Sequence, residues 1–243
     1  MYNTFIFQPL YNGLVALMNI PGIDVGVAVI LFTVIVRLIL YPLSRSALLA
    51  QVKMKEIEPE INKIKRDFKD DRQAQAQKTM ELYKVRKIKP FSGVLMIIIQ
   101  FPILIALISV FYKIIPTIQA DLLYSFVNLP HVSTTLLGID MTSKSLVLAL
   151  LTGIIQFFQL HYSLASHQGR LAAKNSPGAA PDLASSMNTN MKYFMPIIAF
   201  ASVYWLIPAR FPQAASLIAL YWSVSTLFTL GQELYVRKKL LKI

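Results

Sequence analysis

The sequence predicts an all-α polytopic membrane protein. It would have five transmembrane helices, an N-out/C-in orientation and a cytoplasmic antiparallel helical hairpin. Three observations carry this reading. Apolar residues make up 55% of the 243 positions and the mean hydropathy is +0.54, too apolar for an ordinary soluble domain of this length. Five apolar stretches each approach the ~20 residues that a helix needs to cross hydrocarbon. The basic residues are segregated, with 20 of the 24 Lys and Arg in 45–90, 163–192 and 233–243. Loops rich in Lys and Arg stay on the cytoplasmic side, which fixes the orientation.

Residues 1–22 open the chain. Phe5, Leu10, Leu14 and Leu17 suggest an amphipathic helix lying in the interface, while Asn3, Gln8, Asn12 and Asn19 interrupt any full span. No basic n-region or small-residue cleavage site marks a removable leader. Pro21-Gly22 reads as a turn. Residues 23–44 form the first span, which Pro42 kinks or ends. This span holds one full charge, Arg37. Thr33, Arg37, Tyr41 and Ser44 follow at steps of four, four and three, which puts them on one helical face. An ionisable residue within a span is costly and marks a candidate functional site. The plainer alternative is that the long Arg side chain snorkels toward the headgroups or bonds a neighbouring helix.

Residues 45–90 change character, with 13 Lys/Arg and 7 Asp/Glu. Ile57, Ile61, Ile64 and Phe68 make one apolar stripe on a charged helix. Pro59 marks a helix start or kink, Lys69-Asp70-Asp71 a turn, and Asp suits the start of the next helix. That helix is expected to reach about Lys87, with Pro90 stopping it. Two charged helices joined by a short turn make a hairpin. The second span is 91–115, with Gln100 and Pro102 inside. Residues 116–144 form an extracytoplasmic loop, 145–162 the third span with Gln156 and Gln159, and 163–190 a polar cytoplasmic loop. The fourth span is 191–208. The fifth is 213–232, carrying Tyr221, Trp222, Ser223, Ser225 and Thr226, and 233–243 is a basic tail.

Bond-making chemistry finds no support in the residues. There is no G-x-S-x-G, H-E-x-x-H, P-loop or Gly-rich dinucleotide turn. No cysteine is present, and His131, His161 and His167 do not pair at metal-ligand spacing. No Asp or Glu lies in a span unless Glu233 is drawn into the end of the fifth. The expectation is therefore no catalytic residue, no metal and no cofactor. The polar residues within the spans, Thr33, Arg37, Gln100, Gln156, Gln159 and Ser225, suit a wet groove. A small-solute secondary transporter is the alternative, though the paired broken helices of an inverted repeat are not apparent. A membrane enzyme lacks a nucleophile.

The stretch GVAVILFTVIVRLILYPLS resembles the first core span of the YidC/Oxa/Alb membrane protein insertases, with that family's signature Arg. The likeness continues through KMKEIEPEINKIKRDFKDD, MELYKVRKIKPFSG and IIIQFPILIAL, and returns in MKYFMPI and ALYWSVSTLFTLGQEL. It is specific over 26–110, moderate over 191–240 and by layout alone over 116–190. The chain departs from the family pattern at Lys89-Pro90, at Gly93-Val94-Leu95-Met96 and at Pro212-Gln213-Ala214-Ala215, all near span ends. It resembles the bacterial short form, without a large extracytoplasmic domain.

The resemblance implies a five-helix bundle around a hydrophilic groove open to the cytoplasm and to lipid. Arg37 would be the groove's positive charge, with Thr33 lining it nearby and Trp222 at a substrate-contacting position. Gln100, Gln156, Gln159 and Ser225 complete the set of groove candidates. Interfacial anchoring is the plainer role for Trp222, and interhelical hydrogen bonding for the glutamines. The partners implied are nascent membrane proteins, membrane lipids, the ribosome, signal recognition targeting factors and the Sec translocon. Nucleic-acid contact would be limited to ribosomal RNA, and for Arg237-Lys238-Lys239 an ordinary positive flank is the favoured role. The expected location is the bacterial inner membrane.

Overall fold

The computed structural model describes residues 2–89, 92–114, 118–130, 133–171 and 193–240. Pro90, Pro116 and His131, the polar loop beyond Leu171, the start of the fourth span and the end of the tail lie outside the described residues. Among the described residues the regular structure is helical apart from one short hairpin, and the chain divides into two compact units. One comprises residues 1–39 and 102–232, the other 40–101 and 233–243.

The first unit opens with a π-helical turn, Asn3–Phe7, that runs into α1, Gln8–Met18. α1 buries Tyr11, Leu14, Val15 and Met18. Its polar residues are used on a neighbouring loop. The Asn12 Nδ2 donates to the Leu122 carbonyl at 3.0 Å, and its Oδ1 accepts from the Tyr124 amide at 2.6 Å. Asn19 Nδ2 donates to the Asn128 carbonyl at 2.7 Å, and Tyr11 Oη accepts from the Gln119 amide at 2.8 Å. Residues that interrupt a span in the sequence thus pin the loop at 119–128.

α2, Val25–Ile39, is nucleated by Asp24, whose Oδ1 accepts from the Val27 amide at 2.8 Å. A carboxylate in that position satisfies one of the orphan amides of the first turn. A two-stranded antiparallel hairpin, β1 Thr135–Leu136 and β2 Ile139–Asp140, docks on the start of α2. The Val25 amide donates to the Ser133 carbonyl at 3.1 Å. A two-residue strand carries too little pattern to be read from sequence, and the hairpin was not expected within 116–144.

The second unit holds α3 Tyr41–Glu56, α4 Glu58–Asp67 and α5 Arg72–Val85. The chain breaks at Leu40, so Thr33 and Arg37 belong to α2 whereas Tyr41 and Ser44 open α3. The single four-residue polar stripe expected from spacing is therefore divided between two helices, because Pro42 enforces a new helix start. α4 and α5 run antiparallel: Glu60 meets Arg86 at 2.5 Å, and Gln75 Nε2 donates to the Lys65 carbonyl at 3.3 Å. Ile57 is buried, while Ile61, Ile64 and Phe68 are half-buried among exposed neighbours, as their spacing predicts. Asp71 caps α5 by accepting from the Gln73 and Ala74 amides. α5 ends at Val85 rather than near Lys87, because Lys87 takes a left-handed conformation with φ of 51°.

α6, Ser92–Ile114, contains Pro102. Within the first unit its residues Ala106, Leu107, Val110, Phe111 and Ile114 are buried at helical spacing. α7, Leu146–Leu171, runs past the expected limit at Tyr162. α8 covers Tyr193–Arg210 and contains a second π turn, Ser202–Leu206. α9, Ala215–Leu240, follows a 3-10 turn at Pro212–Ala214.

The two π turns share a cause. Each ends two residues before a proline, Pro9 or Pro208. A proline has no amide to give the carbonyl four residues back, and its ring crowds that carbonyl. Here those carbonyls belong to Phe5 and Tyr204, at the centre of each π turn. Widening to i→i+5 bonds, such as Gln8 N–H to Asn3 O and Ile207 N–H to Ser202 O, lets the ladder step around the proline.

Among the described residues three helices are long and apolar enough to cross a membrane: 146–163, 193–210 and 212–236. A fourth arises if Val25–Ile39 and Tyr41–Met54 form one broken span. Pro102–Ile114 is a shorter apolar helix. The described structure thus carries three to four of the five expected spans. Of the stretch 212–236, 56% is buried, against 22% and 17% for the other two, which makes α9 the central helix. On α7 the exposed residues include Leu146, Val147, Leu150, Leu151, Ile154, Phe158 and Tyr162, and the buried ones include Leu148, Ala149, Thr152 and Ile155. An apolar outer face opposite a face bearing polar residues suits a helix solvated by lipid.

Candidate functional site

The candidate site is a polar strip along α9 within the first unit, flanked by α2 and α7. Trp222 and Ser225 lie three residues apart and share a helix face. On the α2 side, Arg37 stands in the last turn of its helix and is half-buried. Its Nε donates to Ser225 Oγ at 2.7 Å, and its Nη2 donates to the same oxygen. Ser225 is only 3% exposed. The guanidinium therefore reaches across to α9 instead of extending along its own helix. Lys78 pairs with Glu81 and Glu60 with Arg86, and among the described residues no carboxylate pairs with Arg37.

On the α7 side, Trp222 Nε1 donates to Gln156 Oε1 at 3.3 Å, and Gln156 Nε2 donates to Gln159 Oε1 at 3.4 Å. Both bonds are long, and both glutamines are half-buried. Deeper in the seam, Thr152 Oγ1 donates to the Leu148 carbonyl at 2.8 Å and lies 2.9 Å from Ser223 Oγ. The Ser216 hydroxyl donates to the Ser143 carbonyl nearer the start of α9. Hydrogen bonds between helices hold transmembrane bundles where hydrophobicity alone gives no preference.

The structure thus gathers Arg37 and Ser225 at one flank of α9, and Trp222, Gln156 and Gln159 at the other. Thr33 sits one turn before Arg37, 1% exposed, and its Oγ1 donates to the Val29 carbonyl of its own helix at 2.6 Å. Gln100 is half-buried on α6 and belongs to the second unit, so it is not among the gathered residues.

The sequence does not single out Thr152 or Asp24, and it offers Ser223 only as one polar residue of the fifth span. Thr152 and Ser223 carry the most buried contact of the seam, and Asp24 starts α2. Asp24 was legible in principle, as an acidic residue just before an apolar run. Glu233, 1% exposed, lies within the 212–236 stretch, so a carboxylate is indeed drawn into this helix. Chemically, the strip offers one fixed cation, an indole N–H and two amides, groups that bind polar or anionic segments.

The family model described as 60Kd inner membrane protein matches residues 16–242. The chain belongs to this family. Similar members of the 60Kd inner membrane protein family are named membrane protein insertase YidC. The protein of Clostridium tetani (strain Massachusetts / E88) is 30% identical over 232 residues, 96% of this chain and 90% of that protein. The protein of Francisella tularensis subsp. novicida (strain U112) is 31% identical over 208 residues. That match covers 86% of this chain but 31% of the Francisella protein, so the chain spans about a third of that relative. Membership and the apolar helices make this an integral membrane protein.

Proposed function

We propose that the chain is a membrane protein insertase of the bacterial inner membrane. In this reading it moves short polar segments of nascent membrane proteins through a hydrophilic groove open to the cytoplasm, and releases apolar segments to lipid. The observation that carries the reading is Arg37, a cation without a carboxylate partner among the described residues, held against α9 by a neutral hydroxyl. An unsatisfied polar group in hydrocarbon costs several kcal/mol. A groove that supplies donors along α9 lowers that cost for a polar tail, and the charge of Arg37 attracts acidic residues within it. The names of the similar proteins support the same activity.

The proposed topology has five spans, an outer N-terminus, and the α4–α5 hairpin and basic tail in the cytoplasm. Capture of nascent chains, or contact with the ribosome, targeting factors and the Sec translocon, would fall to that hairpin. Gln100 is proposed as a further groove residue.

The test is insertion of a small single-span protein with an acidic N-tail, in cells depleted of their own insertase. Those cells are supplied with wild-type chain or Arg37→Ala, at amounts equalised on blots. Rescue by wild type, and its loss on Arg37→Ala, is the expected result. Absence of rescue by well-expressed wild type overturns the insertase reading. Retained rescue by Arg37→Ala removes the groove charge from it.

A further inference from the structure

We infer that Ser225 is the resting partner that holds Arg37 on the groove side of α2, and that its neutrality sets a preference for acidic over neutral incoming tails. The inference rests on the insertase reading.

The first support is the geometry. A guanidinium has five N–H donors in a planar fork and accepts nothing. In this structure Nε and Nη2 both converge on the single oxygen of Ser225. A carboxylate would take two such donors on two oxygens. The bond to the hydroxyl is charge-assisted on the donor side alone, whereas a carboxylate adds the opposite charge and a second acceptor oxygen, which makes the pair bidentate. The hydroxyl is therefore a partner that an arriving carboxylate displaces and that a neutral amide does not.

The second support is position. Arg37 lies two residues before the end of α2, where a long Arg stem can run along the helix to the headgroups. Ser225 offers an acceptor in the opposite direction, and at 3% exposure its oxygen has little access to water. Without that acceptor the charge is held at the strip less firmly, Tyr221 being another α9 group that acts on it. With a carboxylate in its place the charge stays but is neutralised. A small neutral hydroxyl retains both position and charge.

Ser225 is thus a positioning residue that acts through Arg37. Trp222, on the same face of α9, donates to Gln156 instead. The cationic flank of the strip is thereby set apart from its amide flank.

The experiment uses the full chain in insertase-depleted cells. Two single-span substrates differ only in whether the N-tail carries Asp/Glu or Asn/Gln. The quantity read is the ratio of acidic-tail to neutral-tail insertion, for wild type, Ser225→Thr, Ser225→Ala, Ser225→Asp and Arg37→Ala. Wild type and Ser225→Thr, which keeps the hydroxyl, are expected to favour the acidic tail several-fold. Ser225→Ala and Ser225→Asp are expected to fall toward the ratio of Arg37→Ala. A structural role alone would depress both tails together and leave the ratio at the wild-type value, which overturns the inference. A wild-type ratio of one with both tails inserted also overturns it, while leaving the insertase reading standing. Insertion of neither tail by wild type instead rejects the insertase reading. If Ser225→Asp does not accumulate, Ser225→Ala with Ser225→Thr decides.

Discussion

Leu136 lies directly over Gly26. A Cβ built on Gly26 would sit 2.6 Å from the Leu136 Cδ2 and 2.7 Å from its Cβ. Leu136 belongs to the β-hairpin, so this close approach sets where the hairpin rests on α2. Gly26→Ala is expected to lift the hairpin, because the Leu136 Cβ moves only with its backbone. Overpacking of this kind costs about 1–3 kcal/mol. Thermal unfolding in detergent should show the loss, and a cysteine placed at Leu137 should change its labelling rate. Adding Leu136→Ala removes two of the three clashing atoms and should recover part of the stability.

Asn12 is the buried staple between α1 and the 119–128 loop. Asn12→Ala leaves the Leu122 carbonyl and the Tyr124 amide without their side-chain partner. Each orphaned group costs about 1–3 kcal/mol. Amide exchange at Tyr124 is expected to accelerate markedly, with exchange in α5 unchanged. Equal protection in both proteins would show that the loop does not depend on this residue.

The Thr152–Ser223 contact can be isolated by a double-mutant cycle. Thr152→Val keeps the shape and removes the hydroxyl, and Ser223→Ala removes the other partner. Interhelical hydrogen bonds in membrane proteins average about 0.6 kcal/mol by this method. Coupling of that order in reversible unfolding is the expected result, and none is expected between Thr152→Val and Thr229→Ala. The latter removes a bond that Thr229 makes within its own helix, to the Ser225 carbonyl.

Asp140 carries the pH dependence of the turn that follows β2. The Thr142 amide donates to its Oδ1 at 2.8 Å, and the Thr142 hydroxyl at 2.7 Å. These bonds, the backbone one foremost, hold its carboxyl below the usual carboxylate range. A depressed acid binds fewer protons folded than unfolded, so its contribution is present above the ordinary Asp value of about 4. That contribution is lost as pH falls through the depressed value. Acid titration followed by the Thr142 amide resonance should show local release of the turn in that range. Asp140→Asn should abolish the titration.

The parts of the fold that were legible in sequence are those set by neighbours along the chain. Apolar runs announced α7, α8 and α9, Ile57, Ile61 and Ile64 marked the inner face of α4, and Asp71 marked the start of α5. Pro42 announced the break at Leu40, though not that it would divide the Thr33–Ser44 stripe. The rest depends on partners distant in sequence. Nothing near Asn12 reveals that it bonds the backbone at Leu122 and Tyr124. Nothing near Thr152 reveals that Ser223 faces it. For the site, polar residues in apolar surroundings were enough to single out Arg37, Gln156, Gln159 and Ser225, whereas Trp222 came from the family resemblance. That Arg37 meets Ser225 while Trp222 meets Gln156 required the packing of three helices.

The π turns before Pro9 and Pro208 have a consequence for counting. A π turn holds one residue more than an α turn, so every later side chain falls about 100° behind the position that α-helical counting gives it. Ile207–Arg210 therefore presents a different face from the one that residues 193–201 would project forward. Deleting one residue from Ser202–Leu206 would let the turn close to an α turn and leave the end of α8 facing as before. In a family whose members differ in length, Ser202–Leu206 is thus a point, among the described residues, where a one-residue gap has a structural meaning. Alignments that slide such gaps into the neighbouring loops would place α8 side chains on the wrong side of the helix.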